Sequence, residues 1–333
     1  MDTSVVLSGA AVGAGFGFVL QRGRFCLNTA FRNVFYIHEY TLVRAYLAAL
    51  TVSLLGANLL ILSGLLHPDH AHNEFPWLAN VLGGYLFGIG MVLAGGDAGS
   101  TWSRAGEGLV GSWMAAIGFL LAAAAANTGC LSGLTRFLGG FALTLRPDAT
   151  LPSLMGIHTW VLVPLAIAAY SAFLFFTRAS YSAGQAGYRW STAGILVGVM
   201  IVLGLVVSEV MTGTASGISF PSEATALLSS VVSSKPLDWG AAVLAGVPLG
   251  SFLSARGLRE FAWRAPHAKV MVQQLAGGLL MGAGGVIAGG CGIGHGLTGL
   301  ALLSVPSLVS TAFIVLGCWT MVYVLFMKNP GGR

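Results

Sequence analysis

The chain contains one glycine-rich phrase twice, as GGYLFGIGMVLAGGDAGS at residues 83–100 and as GGLLMGAGGVIAGGCGIG at residues 277–294. When the sequence is shifted by 194 positions, nine of the first fourteen residues in the two copies are identical. Internal similarity of this kind is typical of a fold built from two related halves. We therefore predict a single domain, 1–333, with repeat halves at about 1–150 and 190–333.

The composition places the chain in a lipid bilayer. Of its 333 residues, 56% are hydrophobic and only 8% are charged, and the mean hydropathy is +0.82. Soluble domains carry about 25% charged residues, so this chain cannot cover a water-facing surface. Its apolar runs are continuous, which favours helices that span about 30 Å of hydrocarbon. We predict an all-α polytopic membrane protein with about nine transmembrane helices, near residues 4–20, 42–66, 78–95, 109–126, 153–178, 191–211, 239–254, 268–290 and 305–327.

Basic residues indicate which helix ends face the cytoplasm. They occur near 178–189, near 256–269 and at the C-terminus, whereas the loops at 67–77 and 212–238 contain almost none. With nine spans, this distribution predicts a periplasmic N-terminus and a cytoplasmic C-terminus. The basic residues form no clustered patch and no GxxxxGK[ST] motif is present, so we expect neither a nucleic-acid partner nor ATP hydrolysis.

The same span count gives the two glycine-rich phrases opposite directions, with 78–95 running inward and 268–290 running outward. Inverted repeats of this kind are a common ground plan of membrane transport proteins. In such proteins the ligand site lies near the middle of the bilayer, where the two repeats meet.

Two roles are predicted for the glycines. Small residues four apart allow close helix packing in lipid, and Gly84 with Gly88 and Gly278 with Gly282 have this spacing. A glycine pair then ends each apolar run before a polar residue: Gly95 and Gly96 before Asp97, and Gly289 and Gly290 before Cys291. We expect the helix to break there and a short re-entrant half-helix to follow. Its free N–H groups and positive dipole end would point at the centre and suit an anion.

Two cysteines are candidate functional thiols. Cys26 lies in the basic, polar segment RGRFCLNTAFR, next to Arg24, and Cys291 lies at a glycine break beside His295. A free cysteine is usually a small buried hydrophobe, but electropositive surroundings favour a functional thiol. His295 is equally consistent with a buried, hydrogen-bonded side chain. Cys130 is left open as a supporting residue, and Cys318 is predicted to be a packing residue.

Three charged residues follow the first glycine pair. Asp97 is either a functional intramembrane carboxylate or a helix N-cap, and these roles are compatible. Arg104 and Glu107 are three apart and could pair on one helix face or contact a ligand. The cysteines and histidines have no metal-ligand spacing, so we expect no metal, no cofactor and no disulfide framework.

Four segments of the chain resemble the YeeE/YedE family of bacterial inner-membrane proteins, which includes thiosulfate transporters. They are RGRFCLNTAFR, GGDAGSTWSRAGEG, SARGLREFAWRAP and GGCGIGHGLTG, in that order, and the resemblance extends over nearly the whole chain. It implies an hourglass-shaped helical bundle in the cytoplasmic membrane that takes up thiosulfate and is not an enzyme. A soluble sulfurtransferase-like partner is consistent with the resemblance.

The resemblance also implies roles for individual residues. Three family cysteines line a central path and contact thiosulfate in turn; Cys26 matches the first and Cys291 the third, but the middle position is Asp97. An ionised carboxylate repels a dianion, so Asp97 would be protonated, paired with a cation such as Arg104, or suited to another substrate. Two alternatives stay open: transport of another sulfur or selenium compound, or a membrane thiol enzyme that passes a persulfide to a soluble carrier.

Overall fold

The computed structural model describes residues 3–67, 74–144, 150–177, 187–233 and 236–328. Helices form nearly all of this part of the chain. They are α1 (Thr3–Gly23), α2 (Leu27–Tyr36), α3 (Thr41–Leu62), α4 (Trp77–Ala94), α5 (Ala98–Gly106), α6 (Val110–Asn127), α7 (Ser132–Gly139), α8 (Leu151–Met155), α9 (Thr159–Phe176), α10 (Trp190–Thr212), α11 (Phe220–Ser233), α12 (Trp239–Gly257), α13 (Ala268–Ala288) and α14 (Val305–Val322).

Two π-helical segments and one small sheet complete the described chain. The π-helix Gly294–Gly299 has a helical turn on each side, so that 292–301 is continuously helical, and Tyr323–Met327 extends α14. Strands β1 (Glu74–Pro76) and β2 (Ala142–Thr144) pair in antiparallel register, with Phe75 opposite Leu143.

Eight helical segments of the described chain are long and apolar enough to cross a membrane, which confirms an all-α polytopic membrane protein. They account for eight of the nine predicted spans. The ninth, predicted at 239–254, is α12, a 19-residue helix that is not among the eight and has Pro248 in its interior. Helix α12 packs along α1 and buries residues such as Val243 and Val247, while Leu249 and Leu253 of the same helix remain exposed.

Both glycine-rich phrases end their helix in the same way. Gly95 and Gly289 adopt left-handed backbone conformations, with φ of 77° and 76°. The N–H of Gly96 donates to the Met91 carbonyl at 3.1 Å, and the equivalent N–H of Gly290 donates to the Gly285 carbonyl at 2.9 Å. These are Schellman C-caps, which glycine accommodates without steric cost. The predicted helix breaks at both glycine pairs are confirmed.

The order of long helix, short helix and long helix occurs four times in the described chain. The units are α1–α2–α3, α4–α5–α6, α10–α11–α12, and α13, 292–301 and α14, with α7 to α9 between the second and third. In this order α1, α3, α4 and α6 of the first half correspond to α10, α12, α13 and α14 of the second. The packing agrees with that correspondence: α1 packs on α12 and α10 on α3, and likewise α6 packs on α13 and α14 on α4. The packing is therefore approximately preserved when the two halves are exchanged, although the exact boundaries of the halves stay a prediction.

Helices α4 and α13, which carry the two phrases, pack against each other in opposite directions. A Cβ on Gly83, near the start of α4, would lie 2.5 Å from the Ala288 nitrogen at the end of α13. A Cβ on Gly90, near the end of α4, would lie 2.6 Å from the Met281 nitrogen, nearer the middle of α13. The two copies of the phrase therefore run antiparallel, as an inverted repeat requires.

The predicted glycine packing seams are confirmed. A Cβ on Gly84 would lie 2.8 Å from the Ser310 carbonyl of α14, and one on Gly88 would collide with the Ile314 carbonyl. In the other half, a Cβ on Gly278 would collide with the Ala115 carbonyl of α6. Backbones meet at these points, which is how helices associate in lipid without a hydrophobic driving force.

Two cavities lie at opposite ends of this bundle. One, of about 570 Å³, is lined by the end of α13 (Ala288 and Gly289), and the described residues that line it include no Asp, Glu, Lys or Arg; we call it the neutral cavity. The other, of about 290 Å³, is lined by Arg264 in the loop before α13 and by Arg24, and we call it the basic cavity. Because α13 is about 31 Å long, the cavities are separated by roughly the thickness of a bilayer core.

Candidate functional site

The short helices begin close together, between the two cavities. The residues that precede them are Cys26 before α2, Asp97 before α5, Ser219 before α11, and Cys291 before helix 292–301. Cys26, Asp97 and Cys291 are each at most 2% exposed. The structure thus brings together three residues that the sequence analysis singled out, and adds Ser219.

Asp97 and Cys26 form the first of two polar clusters. Asp97 Oδ1 accepts a hydrogen bond from the N–H of Leu27, the first residue of α2, at 3.2 Å. It also accepts one from Ser100 Oγ at 2.7 Å, and Ser100 Oγ lies 3.2 Å from Cys26 Sγ. The Asp97 carboxyl group therefore occupies the anion position at the N-terminus of α2, where N–H groups and the helix dipole favour negative charge.

Arg104 forms neither of the two pairings that the sequence left open, with Asp97 or with Glu107. Arg104 Nη1 instead donates to the Gly95 carbonyl at 2.6 Å, which the end of α4 leaves without an intrahelical partner. Glu107 pairs with Arg24 at 3.2 Å. Arg104 therefore ties the short helix α5 back to the long helix before it.

Cys291 is the centre of the second cluster. Its Sγ accepts from the N–H of Gly294 at 3.3 Å and also faces the N–H of Phe220, the first residue of α11. Cys291 therefore meets the first N–H of α11 in the way that Asp97 meets the first N–H of α2. The two residues occupy equivalent positions in the repeated phrase. Ser219, which precedes α11, occupies the place that Cys26 has in the first half.

His295 fastens helix 292–301 to its neighbours. Its Nε2 lies 3.0 Å from the Ala288 carbonyl, and its Nδ1 lies 3.1 Å from Ser307 Oγ. A carbonyl only accepts, so Nε2 carries the hydrogen and Nδ1 accepts from the Ser307 hydroxyl in the neutral ring. Both ring nitrogens are used, so His295 is a hydrogen-bonded positioning residue on the wall of the neutral cavity, equivalent in effect to Arg104 in the first half.

Apolar side chains separate the two clusters. A Cβ on Gly292 would lie 3.1 Å from Leu27 Cδ1, and one on Gly99 would collide with Ile293 and lie 3.3 Å from Leu20 Cδ1. Leu20, Leu27 and Ile293 are all at most 2% exposed. We call these three side chains the apolar layer. These side chains fill the contact between the two clusters in this structure.

Charged residues surround the basic cavity. Arg24 contacts Glu260 at 2.9 Å as well as Glu107, and Arg22 lies 3.8 Å from Glu260. Burial raises the pKa of the Glu107 carboxyl, and the nearby Arg24 and Arg104 act against that increase. Arg24 also adopts a left-handed backbone conformation, with φ of 47°, where α1 ends. A non-glycine residue is held there only when its surroundings require it.

The remaining two cysteines have different surroundings. Cys130 is exposed in the turn before α7 and lies apart from both clusters, so the structure gives no support for the supporting role that the sequence left open. Cys318 is buried on α14, and its Sγ lies 3.8 Å from Asn28 Oδ1 of α2, beside the first cluster. Across the described ranges, no group of three or more His, Cys, Asp and Glu side chains has a geometry that could hold a metal ion.

Replacing Asp97 is expected to change the stability of the protein in a graded way. Asp97→Ala leaves the buried Leu27 N–H without its acceptor and should lower the free energy of unfolding by about 1–3 kcal/mol. Asp97→Asn keeps an acceptor oxygen, and Asp97→Cys recreates the arrangement around Cys291, so both should remain closer to wild type. Thermal unfolding in detergent measures this; an Ala variant as stable as wild type would show that the bond does not hold α2.

The fold and the site together define a class: a polytopic membrane protein with converging short-helix N-termini between two end cavities, which is the architecture of a transport protein. A family model described as sulphur transport matches residues 22–320, and the chain belongs to that family. It is 34% identical over 343 residues to the thiosulfate transporter TsuA of Escherichia coli K12, covering 98% of this chain and 96% of the relative.

Two further relatives have similar descriptions. The thiosulfate transporter TsuA of Spirochaeta thermophila is 32% identical over 335 residues, covering 97% of this chain and all of the relative. The probable transporter YedE of Escherichia coli K12 is 32% identical over 108 residues, 32% of this chain and 25% of that protein. The predicted membership is confirmed, and the chain is a transporter rather than an enzyme.

Proposed function

We propose that this protein carries thiosulfate, or a closely related reduced-sulfur anion, across the cytoplasmic membrane into the cell. The observation that carries the proposal is the position of Cys291 and Cys26 at short-helix N-termini, on opposite sides of the apolar layer. Each thiol borders one cavity through its neighbours: Gly294 and His295 line the neutral cavity, and Arg24 lines the basic cavity. The full-length relatives named as thiosulfate transporters support the same substrate.

The chemistry of the two clusters suits a sulfur-containing anion that must also leave. The N-terminal ends of the short helices, with their N–H groups and the positive end of the helix dipole, stabilise negative charge without a fixed positive charge. A thiol is a weak hydrogen-bond donor and a polarisable partner for the outer sulfur of thiosulfate. A permeation path needs binding that is favourable enough for entry and weak enough for exit, and these contacts meet that requirement.

The proposed orientation in the membrane rests on the charge of the two ends. Basic residues favour the cytoplasmic side, so the basic cavity faces the cytoplasm and the neutral cavity faces the periplasm. Helix α1 then starts on the periplasmic side, and α14 ends on the cytoplasmic side. An anion enters past His295 and reaches Cys291, crosses the apolar layer when it opens, and passes Cys26 towards Arg24. A soluble sulfurtransferase-like partner would receive it at the basic cavity.

Asp97 directs the anion towards the thiol side of the first cluster. Its carboxyl group already uses the Leu27 N–H and the Ser100 hydroxyl, so it repels a second anion from that position. Cys26, next to Ser100, offers the nearest uncharged sulfur. Asp97→Cys is therefore compatible with uptake of the same substrate.

A growth experiment tests the proposed function. Cells that lack other routes for thiosulfate uptake and express this chain should grow with thiosulfate as the only sulfur source, and control cells should not. Failure to grow at normal expression would contradict the assignment. Intact-protein mass after incubation with thiosulfate tests the persulfide alternative, which requires the mass of one added sulfur on Cys26 or Cys291.

Arg24→Gln is expected to reduce uptake several-fold with little effect on stability. The change leaves Glu107 and Glu260 without Arg24 at the exit, where they repel the departing anion. The Arg24 side chain is 46% exposed, so each lost ion pair is worth only about 0–1 kcal/mol of stability. The measurements are radiolabelled uptake in cells and thermal unfolding of the purified protein.

Arg136→Gln is the matched control. Arg136 lies on α7 and its guanidinium hydrogen-bonds the Ser132 carbonyl of the same helix. Uptake by the Arg136 variant should equal wild type. If the Arg24 variant also transports at the wild-type rate, Arg24 has no part in release of the anion.

A further inference from the structure

Glu223 is a buried carboxyl group that the transport path described above does not use. It lies in the first turn of α11, four residues after Ser219, and is 4% exposed. Its Oε1 accepts from the Ser219 N–H at 2.8 Å. Its Oε2 is buried and has no hydrogen-bond partner within the described part of the chain. An unpartnered carboxylate oxygen in such a place is unfavourable unless it carries a proton or meets water.

A separate cavity gives Glu223 access to water. It has a volume of about 240 Å³ and is lined by Glu223, Asp238 and Trp239, together with hydroxyl groups such as Thr212 and Ser222. The indole Nε1 of Trp239 is also buried without a partner in the described residues. An acceptor and a donor that both lack partners in one polar cavity of this size indicate bound water. Water there would connect Glu223 to the end of the bundle where α10 finishes.

No described basic side chain forms an ion pair with Glu223. The elements packed on α11 are α6, α12 and α13. Helix α6 contains no titratable residue, α12 brings the carboxyl group of Asp238 at its N-cap, and the Lys269 of α13 lies at the opposite end of that helix. Among the described residues, Cys291 is a further titratable group near Glu223, and its thiol faces the start of α11.

The charge at Glu223 therefore acts directly on the second cluster. Glu223 stands one turn from Phe220, whose N–H faces Cys291, and the Ser219 N–H is already taken by its carboxylate. An ionised Glu223 competes for the N–H groups at the start of α11 and repels an anion at Cys291. A protonated Glu223 removes the repulsion, and its Oε2–H can donate within the wet cavity.

We propose that Glu223 is a proton-binding site and that a proton must occupy it before an anion binds beside Cys291. The inference rests on the proposed function, since it concerns the same anion. The proton comes from water in the Glu223 cavity, binds at Oε2 without any other bond breaking in the protein, and returns to water when the anion leaves. The proton at Glu223 and the anion at Cys291 each make the other bind more tightly, because coupling between two binding sites is reciprocal. The proton also offsets one negative charge of the substrate.

Proton uptake on ligand binding tests this inference. Purified full-length protein in weakly buffered detergent receives thiosulfate, and a pH indicator reports protons taken from solution. At pH values high enough to ionise Glu223 in the free protein, wild type should take up close to one proton per bound anion. In that pH range the affinity should fall about tenfold for each further pH unit. Binding without proton uptake in that range, together with an affinity independent of pH, would overturn the inference but leave the proposed function intact, whereas no binding and no transport would contradict the proposed function itself.

Three variants separate Glu223 from other carboxyl groups. Glu223→Gln has nearly the same shape as the protonated side chain, so it should bind thiosulfate with little pH dependence and take up no proton. Glu209→Gln alters a carboxyl group that pairs with His67 at 2.9 Å, and Asp238→Asn keeps an oxygen for the Ala241 N–H. Glu209→Gln should behave like wild type. Asp238→Asn removes a negative charge beside Glu223, so it should still take up a proton, with the fall in affinity beginning at a lower pH. Loss of proton uptake in the Asp238 variant, with retention in the Glu223 variant, would overturn the assignment to Glu223.

Discussion

Cys291→Ala is expected to reduce thiosulfate uptake at least tenfold while the protein remains folded. The thiol is the centre of the second cluster, which an anion from the neutral cavity reaches before the other cluster. Alanine offers no sulfur and no hydrogen-bond donor there. The side chain is small, and its removal leaves the Gly294 and Phe220 N–H groups free for another acceptor. The stability cost should be no more than about 1–3 kcal/mol. Initial rates of radiolabelled uptake, normalised to folded protein in the membrane, measure the effect.

Cys130→Ala is the control for this variant, because Cys130 is an exposed cysteine outside both clusters. It should transport at the wild-type rate. Cys291→Ser adds a second comparison, since serine keeps a donor but lacks the polarisable sulfur, and should fall between alanine and wild type. Wild-type uptake by the Ala variant would remove Cys291 from the path.

Gly278→Leu is expected to have the largest effect on folding. A Cβ at position 278 would collide with the Ala115 carbonyl, so α13 and α6 must separate along their length. Forcing extra carbons into a packed interior usually costs about 1–3 kcal/mol, and a collision with backbone belongs at or above the top of that range. The measurements are the yield of monodisperse protein in detergent and its thermal unfolding.

Gly133→Leu provides the matched substitution. Gly133 lies on the exposed surface of α7, and a Cβ there would meet nothing within 4 Å. Its yield and unfolding temperature should equal those of wild type. Equal behaviour of the two leucine variants would show that the α13–α6 seam tolerates separation, contrary to the packing described here.

The repeated phrase was the part of the sequence from which most of the fold could be predicted. Glycine pairs can be recognised as helix ends because few other residues adopt φ near 77° at no cost, and both pairs form the same C-cap. The lengths of the apolar runs predicted the spans, including α12, although α12 contains Pro248 and Arg256 and is not among the eight segments apolar enough to cross a membrane. The directions of the two phrases followed from the span count and agree with the antiparallel packing of α4 and α13.

The sequence did not reveal α11 or the residues that it brings to the site. The segment 212–238 was interpreted as a loop, because FPSEATALLSSVVS is too short and too polar to be a span. The break before α11 uses single glycines, Gly213 and Gly217, and so lacks the repeated phrase. Ser219 and Glu223 were therefore missed. The first half has the short helix α2 between α1 and α3, so the repeat predicts a short helix between α10 and α12. That correspondence is the signal that could have revealed α11.

The partner of Arg104 could not be predicted either. Sequence spacing suggested Glu107, but a long side chain in the last turn of α5 reaches back to a carbonyl that becomes free only when α4 ends at Gly95. The role of His295 has the same origin, since the Ala288 carbonyl is free only because α13 ends there. Both interactions depend on backbone groups that a helix break exposes, and side-chain spacing does not report them.

Uptake by purified protein in liposomes tests the central claim most directly. Radiolabelled thiosulfate should accumulate in a saturable manner in vesicles that contain the full chain and not in empty vesicles. Excess unlabelled thiosulfate should block this uptake, and excess sulfate, which lacks the outer sulfur, should not. Absence of uptake, or equal competition by sulfate and thiosulfate, would contradict a path in which Cys291 and Cys26 recognise a reduced-sulfur anion.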